Sequence, residues 1–243
     1  MSISQRQKKF IKSLHLKKNR KEEQCFLVEG AKSVRELLAS DFEVVLLAGT
    51  ADFLAQQRPL PKGEVVEAKE AELEGLGEFQ SNNGALAVAR IKPNTPLERY
   101  ADEFALVLDD IRDPGNLGTI IRTADWFGIH KVIASEETAD CYSSKVITST
   151  MGSFTRTRIY YTRLEEYLSN TPGRVFGAYL NGTSIHDVNF GKGGLVLIGN
   201  ESRGISPQLE SFVTDKVTIP RYGQAESLNA AIATAIFCDN LRR

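Results

Sequence analysis

The sequence predicts an α/β protein whose main sheet is mostly parallel, with helices on both of its faces. Three observations lead there. Apolar runs of strand length, such as Phe104-Ala-Leu-Val-Leu108 and Leu195-Val-Leu-Ile198, recur along the chain and are continuous rather than alternating. Helical stretches separate them, and continuous apolar strands between helices belong to sheets buried on both faces. No apolar run approaches the roughly 18 residues that a membrane helix needs. A hydrophobic share of 42% with 25% charged residues suits a folded chain of 243 residues, long enough for a small domain and a medium one.

The first series occupies residues 1–92. Phe10, Ile11 and Leu14 recur at helical spacing among lysines. A strand follows at Cys25-Phe-Leu-Val28, then Glu29-Gly30 and an amphipathic helix from Ala31 to Leu38. Val44-Val-Leu-Leu47, a helical stretch to about residue 57, Val65-Val66, a short acidic helix from Lys69 to Leu76, and Ala85-Leu-Ala-Val-Ala89 complete it.

A polar stretch with two prolines, without periodicity, then reads as a linker at 93–103. The second series fills 104–243. After Phe104-Ala-Leu-Val-Leu108 its strands are expected near Lys131–Ala134, Arg158–Tyr161, Arg174–Ala178, Leu195–Ile198 and Lys216–Ile219. Its helices are expected at Leu117–Phe127, Ser143–Met151, Leu164–Leu168 and Leu228–Leu241, with a short turn after Ser206.

Charge and side-chain chemistry narrow the function. The net charge is −1, yet residues 1–21 hold eight Lys or Arg and no acid, a footprint for phosphate backbones. Three cysteines, far apart and without a CxxC pair, predict no disulfide framework and a reducing compartment. Three histidines at no ligand spacing predict no metal site.

Three strand-to-loop-to-helix junctions gather polar residues and glycine where ligands of α/β sheets bind, at the carboxyl ends of strands. In the first, Leu108-Asp-Asp-Ile-Arg-Asp-Pro-Gly-Asn116, the Pro-Gly turn leads to Asn116 as a helix cap, with Arg122 inside the helix. The second is Gly199-Asn-Glu-Ser-Arg-Gly204, where glycines flank Glu201 and allow close backbone approach. The third runs from Ile219-Pro220 to Ser227-Leu-Asn229, with Ser227 as the cap of an alanine-rich helix. Read singly, each is a cap, a surface cation or a solvent loop.

Taken in order and spacing, the three resemble the motifs of the SpoU (TrmH-like) branch of the SPOUT RNA methyltransferases, over residues 104–243. The first half is similar to that branch's L30e-like substrate-binding domain, through the basic lead-in and Phe26-Leu-Val-Glu-Gly30. The resemblance implies a deep trefoil knot near the C-terminus, S-adenosylmethionine as cofactor, a homodimer, and methylation of a ribose 2′-hydroxyl. By motif position it implies Arg122 as the central catalytic residue, completed by Asn116, Glu201, Ser227 and Asn229. It implies cofactor contacts at Leu180, Asn181, Gly199, Ile219, Pro220 and Leu228. Two departures stand out: Arg203 adds a cation beside Glu201 that either touches RNA or pairs with Glu201, and Asn181 stands where relatives often carry an acid.

The expected partner is structured RNA, ribosomal (23S-type) before transfer RNA, with no membrane and a cytoplasmic location. A catalytically silent RNA-binding scaffold fits the basic lead-in equally well, and a base methyltransferase is a second alternative. A dinucleotide-dependent oxidoreductase is disfavoured: no G-x-G-x-x-G follows an early strand of either half, and Gly191-Lys-Gly-Gly194 precedes a strand.

Overall fold

The computed structural model of the chain describes residues 3–57, 59–78, 84–98 and 101–243. Two compact units emerge, Met1–Pro93 with Asp140–Thr155, and Asn94–Ala139 with Arg156–Arg243. Of the linker expected at 93–103, Arg99 and Tyr100 lie outside the described residues.

The first unit runs α1 (Gln5–Ser13), α2 (Lys17–Glu23), β1 (Cys25–Glu29), α3 (Ala31–Leu38), β2 (Val44–Gly49), α4 (Ala51–Ala55), β3 (Glu64–Glu67), α5 (Glu70–Glu74) and β4 (Ala85–Arg90). Its sheet has the order β1-β4-β2-β3, with β4 antiparallel to both neighbours and β3 parallel to β2. Ser4 and Gln7 form a capping box that starts α1, satisfying two orphan amides reciprocally. Every residue of β1 is buried.

The basic lead-in splits in two. Arg6, Lys9, Lys12, Lys17, Lys18 and Lys21 are exposed. Arg20 is buried, donating to the carbonyls of Leu14 and His15 at 2.8 Å and pairing with Asp140 at 2.7 Å. A buried guanidinium needs such partners, so Arg20 serves the fold and leaves the phosphate-facing set. Lys8 is tied to Glu72 at 2.9 Å.

The second unit holds β5 (Phe104–Leu108), α6 (Pro114–Trp126) and β6 (Lys131–Ala134). The next helix, α7 (Ser144–Thr150), departs from the expectation of a contiguous 104–243 domain, because Asp140–Thr155 folds within the first unit. The physical reason is the Phe26 side chain, fully buried among Phe42, Tyr142 and Phe154 with ring centroids 4.7 to 6.0 Å away. Truncating such a residue to alanine costs about 3–5 kcal/mol.

The second unit then continues through β7 (Arg158–Tyr161), α8 (Leu164–Ser169), β8 (Val175–Ser184), β9 (Gly194–Ile198), β10 (Asp215–Thr218) and α9 (Ala230–Asn240). Its six strands are all parallel, in the order β10-β8-β9-β5-β6-β7. β5 and β9 are buried throughout, as continuous apolar strands predict. In α9, Ala230, Ala231, Thr234, Phe237 and Cys238 are buried in one helical stripe, and the small residues let α9 pack on α6.

The ladder between β8 and β10 slips: Gly177 pairs with Lys216, but Thr183 pairs with Val217. Residues 178–182 therefore bow out of β8. Gly182 is required there, since a Cβ would stand 2.4 Å from the Lys216 carbonyl oxygen.

Candidate active site

Helix α6 is capped by Asp113, whose carboxylate accepts the Asn116 amide at 2.8 Å, with Pro114 opening the first turn. Asn116 was the expected cap. Placed inside the first turn instead, it turns its side chain to other partners. Its Nδ2 donates to Glu201 Oε1 at 2.5 Å, and its Oδ1 accepts from Asn229 Nδ2 at 2.9 Å.

Asn229 also corrects the expected start of the last helix. Its Oδ1 accepts the amides of Ala231 at 2.9 Å and Ile232 at 3.3 Å, so Asn229, and not Ser227, caps α9. An asparagine oxygen caps at least as well as a serine hydroxyl. Ser227 and Leu228 consequently precede the helix, and both are exposed.

Glu201 is held by a tight loop. Asn200 and Gly204 exchange backbone hydrogen bonds of 3.0 and 2.9 Å. A Cβ on Gly199 would lie 2.2 Å from the Gly204 carbonyl carbon, so only glycine fits. Asn200 donates to the Asp110 carbonyl at 2.8 Å and accepts from the amides of Ser202 and Arg203. Sequence reasoning missed Asn200 and Asp110; an Asx turn inside a glycine-flanked loop is the signal that finds Asn200. Of its two expected partners, Arg203 does not pair with Glu201, which takes Asn116; its Nη1 lies 3.9 Å from Asp110 Oδ2.

Arg122 is on α6, six residues beyond Asn116, which places it about 9 Å along the axis and roughly 120° around it. It is exposed, and among the described residues its side chain has no hydrogen bond or ion pair. The structure therefore joins Asn116, Glu201 and Asn229 directly, and leaves Arg122 and Ser227 turned to solvent.

Of the residues expected at the cofactor, five lie on or directly after three neighbouring strands, β10, β8 and β9, and Leu228 lies apart from them, just before α9. Leu180 and Asn181 sit exposed in the bow of β8, and the Thr218 hydroxyl donates to the Leu180 carbonyl at 3.0 Å. Gly199 directly follows β9, and Ile219-Pro220 directly follow β10, both half-buried.

Burial sets the two clearest electrostatic features. Desolvation raises the Asp109 carboxyl above the usual range, opposed by hydrogen bonds from Ser206, whose amide lies 2.7 Å from Oδ2. Burial pushes the Cys238 thiol up to about 12. No group of three or more His, Cys, Asp or Glu able to hold a metal ion exists among the described residues.

The SpoU rRNA Methylase family matches residues 103–239, and the MRM3-like substrate binding domain matches residues 6–87. The chain belongs to the SpoU rRNA methylase family. Within it, a Bacillus subtilis (strain 168) relative named 23S rRNA (guanosine(2553)-2'-O)-methyltransferase RlmP is 32% identical, over 95% of this chain and 94% of that protein. A TrmH-family protein from Porphyromonas gingivalis has a solved structure with TM-score 0.88 and 37% identity, covering 98% of each chain. The AdoMet-bound rRNA methyltransferase from Sinorhizobium meliloti aligns with TM-score 0.90 and 29% identity, over 100% of this chain and 97% of that one. The SpoU match therefore spans all three junctions described above.

Proposed function

We propose that this SpoU-family chain transfers a methyl group from S-adenosylmethionine to a ribose 2′-hydroxyl of ribosomal RNA, of the 23S type. The hydrogen-bonded trio Asn116–Glu201–Asn229 carries the reading, because it ties together the three junctions that the family motifs occupy. The name of the Bacillus subtilis relative favours ribosomal over transfer RNA and ribose over base.

The donor set fits the cofactor. A bowed strand segment, a glycine whose Cβ would collide with backbone, and the exposed apolar side chains of Leu180 and Leu228 offer backbone groups and apolar edges to an adenosine. Leu180, Asn181, Gly199, Ile219, Pro220 and Leu228 would hold it. When bound, S-adenosylmethionine supplies a methyl group on a sulfonium, which needs no further leaving-group activation.

The chain's task is then alignment. Arg122 keeps its proton, so it acts as a cation: its planar fork grips a phosphate of the RNA and orients the adjoining ribose. Asn116 and Asn229 hold the Glu201 carboxylate in one direction, and Ser227 closes the site from the segment before α9. The exposed lysines and arginines of α1 and α2 supply the RNA-binding charge of the first unit, in which 1–92 forms the substrate-binding domain, while 104–243, apart from Asp140–Thr155, forms the catalytic one. No metal enters this scheme.

The same reading extends to architecture. β9 lies between β8 and β5, β10 lies beyond β8, and α9 then returns onto α6; that path supports a deep trefoil knot at the C-terminal end. Trp126, 84% exposed on α6, and Ile232, 51% exposed on α9, are apolar side chains that a homodimer would cover. We read the protein as cytoplasmic, in keeping with an rRNA substrate.

Calorimetric titration with S-adenosylmethionine, followed by tritium transfer from the labelled cofactor to fractionated rRNA and tRNA, tests the reading. Cofactor binding with label in the rRNA fraction is expected. Absence of cofactor binding would leave the silent RNA-binding scaffold standing instead.

A further inference from the structure

The bow of β8 is a stretch of backbone that the ladder with β10 does not hold. β10 advances by one residue, from Lys216 to Val217, while β8 advances from Gly177 to Thr183. Within the bow stand Leu180 and Asn181, two of the residues expected at the cofactor, and both are exposed. Exposed side chains add little packing, so the position of this segment rests on its anchors.

Three residues supply them. Tyr179 anchors the bow from within: its ring packs against the core cluster of Val175, Leu197 and Leu209, and the Lys216 ammonium stands 4.6 Å from the ring centroid. Gly182 lets the returning backbone close against the Lys216 carbonyl. The third anchor is Thr218, half-buried on β10, whose hydroxyl donates to the Leu180 carbonyl at 3.0 Å. The Thr218 carbonyl accepts the Ile185 amide at 2.8 Å, beyond the bow. One β10 residue thus holds the far side of the bow by its main chain and the middle of the bow by its side chain. Threonine suits this task, because its β-branch restricts χ1 and keeps the hydroxyl in a defined direction. Thr218 also directly precedes Ile219-Pro220, so its hydroxyl joins two segments expected at the cofactor.

We propose that Thr218 is a positioning residue for S-adenosylmethionine: its hydroxyl fixes the Leu180-Asn181 segment relative to Ile219-Pro220 before the cofactor arrives. The inference rests on the methyltransferase reading above and adds to it a residue that the three motifs leave out. The effect is preorganisation, since a segment already held in place loses less binding free energy to ordering. In this role Thr218 touches no reacting atom.

Thr218→Val removes the hydroxyl at nearly constant shape, and Thr218→Ser restores it. Calorimetric titration of the full chain with S-adenosylmethionine and with S-adenosylhomocysteine should show the valine variant binding both about three- to tenfold more weakly, the range of one net hydrogen bond. In turnover the loss should fall on KM for the cofactor, with kcat at saturating cofactor within about twofold of the parent. Without cofactor, amide hydrogen exchange of the peptide spanning 178–184 should quicken by a similar factor in the valine variant. The serine variant should recover both affinity and exchange to within about twofold of the parent. Thermal melting checks that both variants fold. Parent-like affinity in Thr218→Val, parent-like exchange there, or a serine variant as impaired as valine each overturns the proposal. A parent chain that binds neither compound overturns the methyltransferase reading, and the cofactor role of Thr218 with it; only that failure shows in the unsubstituted chain.

Discussion

Asn116 Nδ2 donates to the Glu201 carboxylate at 2.5 Å, while Asn116 Oδ1 accepts from Asn229 Nδ2 at 2.9 Å. Side chains from three strand-end junctions thus fix the direction of one carboxylate. Asn116→Ala should lower kcat on the order of tenfold to a hundredfold, the cost of a misplaced reacting group. Asn116→Asp should be worse than alanine, because it sets a second carboxylate against Glu201. Steady-state kinetics of both variants, with cofactor affinity measured alongside, checks the order.

Arg122→Lys tests the proposed phosphate grip. Lysine keeps the charge but loses the planar fork. The expected result is a loss of at least about tenfold in kcat/KM for RNA, since a charged hydrogen bond contributes about 1.5–3 kcal/mol. Cofactor affinity should not change. Turnover near that of the parent would remove Arg122 from its bidentate role.

Two glycines should respond differently to alanine. At Gly199 the new methyl would meet backbone at 2.2 Å, and overpacking of that kind costs about 1–3 kcal/mol. At Gly223 nothing lies within 4 Å and φ is ordinary, so alanine should shift stability by less than about 0.5 kcal/mol. Chemical denaturation of Gly199→Ala and Gly223→Ala gives the comparison.

Asp109 makes stability depend on pH in a defined sense. Its folded carboxyl is raised above the usual range by burial. As pH climbs past the ordinary aspartate value of about 4, the unfolded chain releases this proton while the folded chain retains it. Stability from this group therefore falls with rising pH until the folded carboxyl has ionised, and levels off above that. Urea unfolding from acid to neutral pH should show this decline in the parent and a smaller one in Asp109→Asn.

The thiols should be quiet in the native protein. Cys25, Cys141 and Cys238 are all buried, and the Cys238 pKa is pushed up to about 12. Little thiolate exists there at pH 8, and the thiolate is the reactive form. A chromogenic disulfide reagent should react slowly before unfolding and with all three thiols after it.

Much of this was legible in the sequence because it is local. Continuous apolar runs located β5, β6 and β9, and the glycines around Glu201 announced a loop of close backbone approach. The helix starts were displaced because several cap-competent residues stand together: Asp113 outcompetes Asn116, and Asn229 outcompetes Ser227. Those displacements matter, since a residue relieved of capping became the bridge to Glu201. What the sequence hid depends on distant partners. Arg20 looks like one basic residue among eight until Asp140 is seen beside it. Nothing near 140–155 signals that Phe154 will pack around Phe26 in the first unit. Asp109 and Asp110 read as loop acids until Ser206 and Asn200 are seen hydrogen-bonded to them.

Nucleoside mass spectrometry of rRNA digested after incubation with the protein and S-adenosylmethionine tests the central claim most directly, with Arg122→Ala beside it. The account predicts a ribose 2′-O-methylated nucleoside formed by the parent and lost, or nearly so, in the variant. A nucleoside methylated on its base, or no methylated product despite measurable cofactor binding, would contradict it.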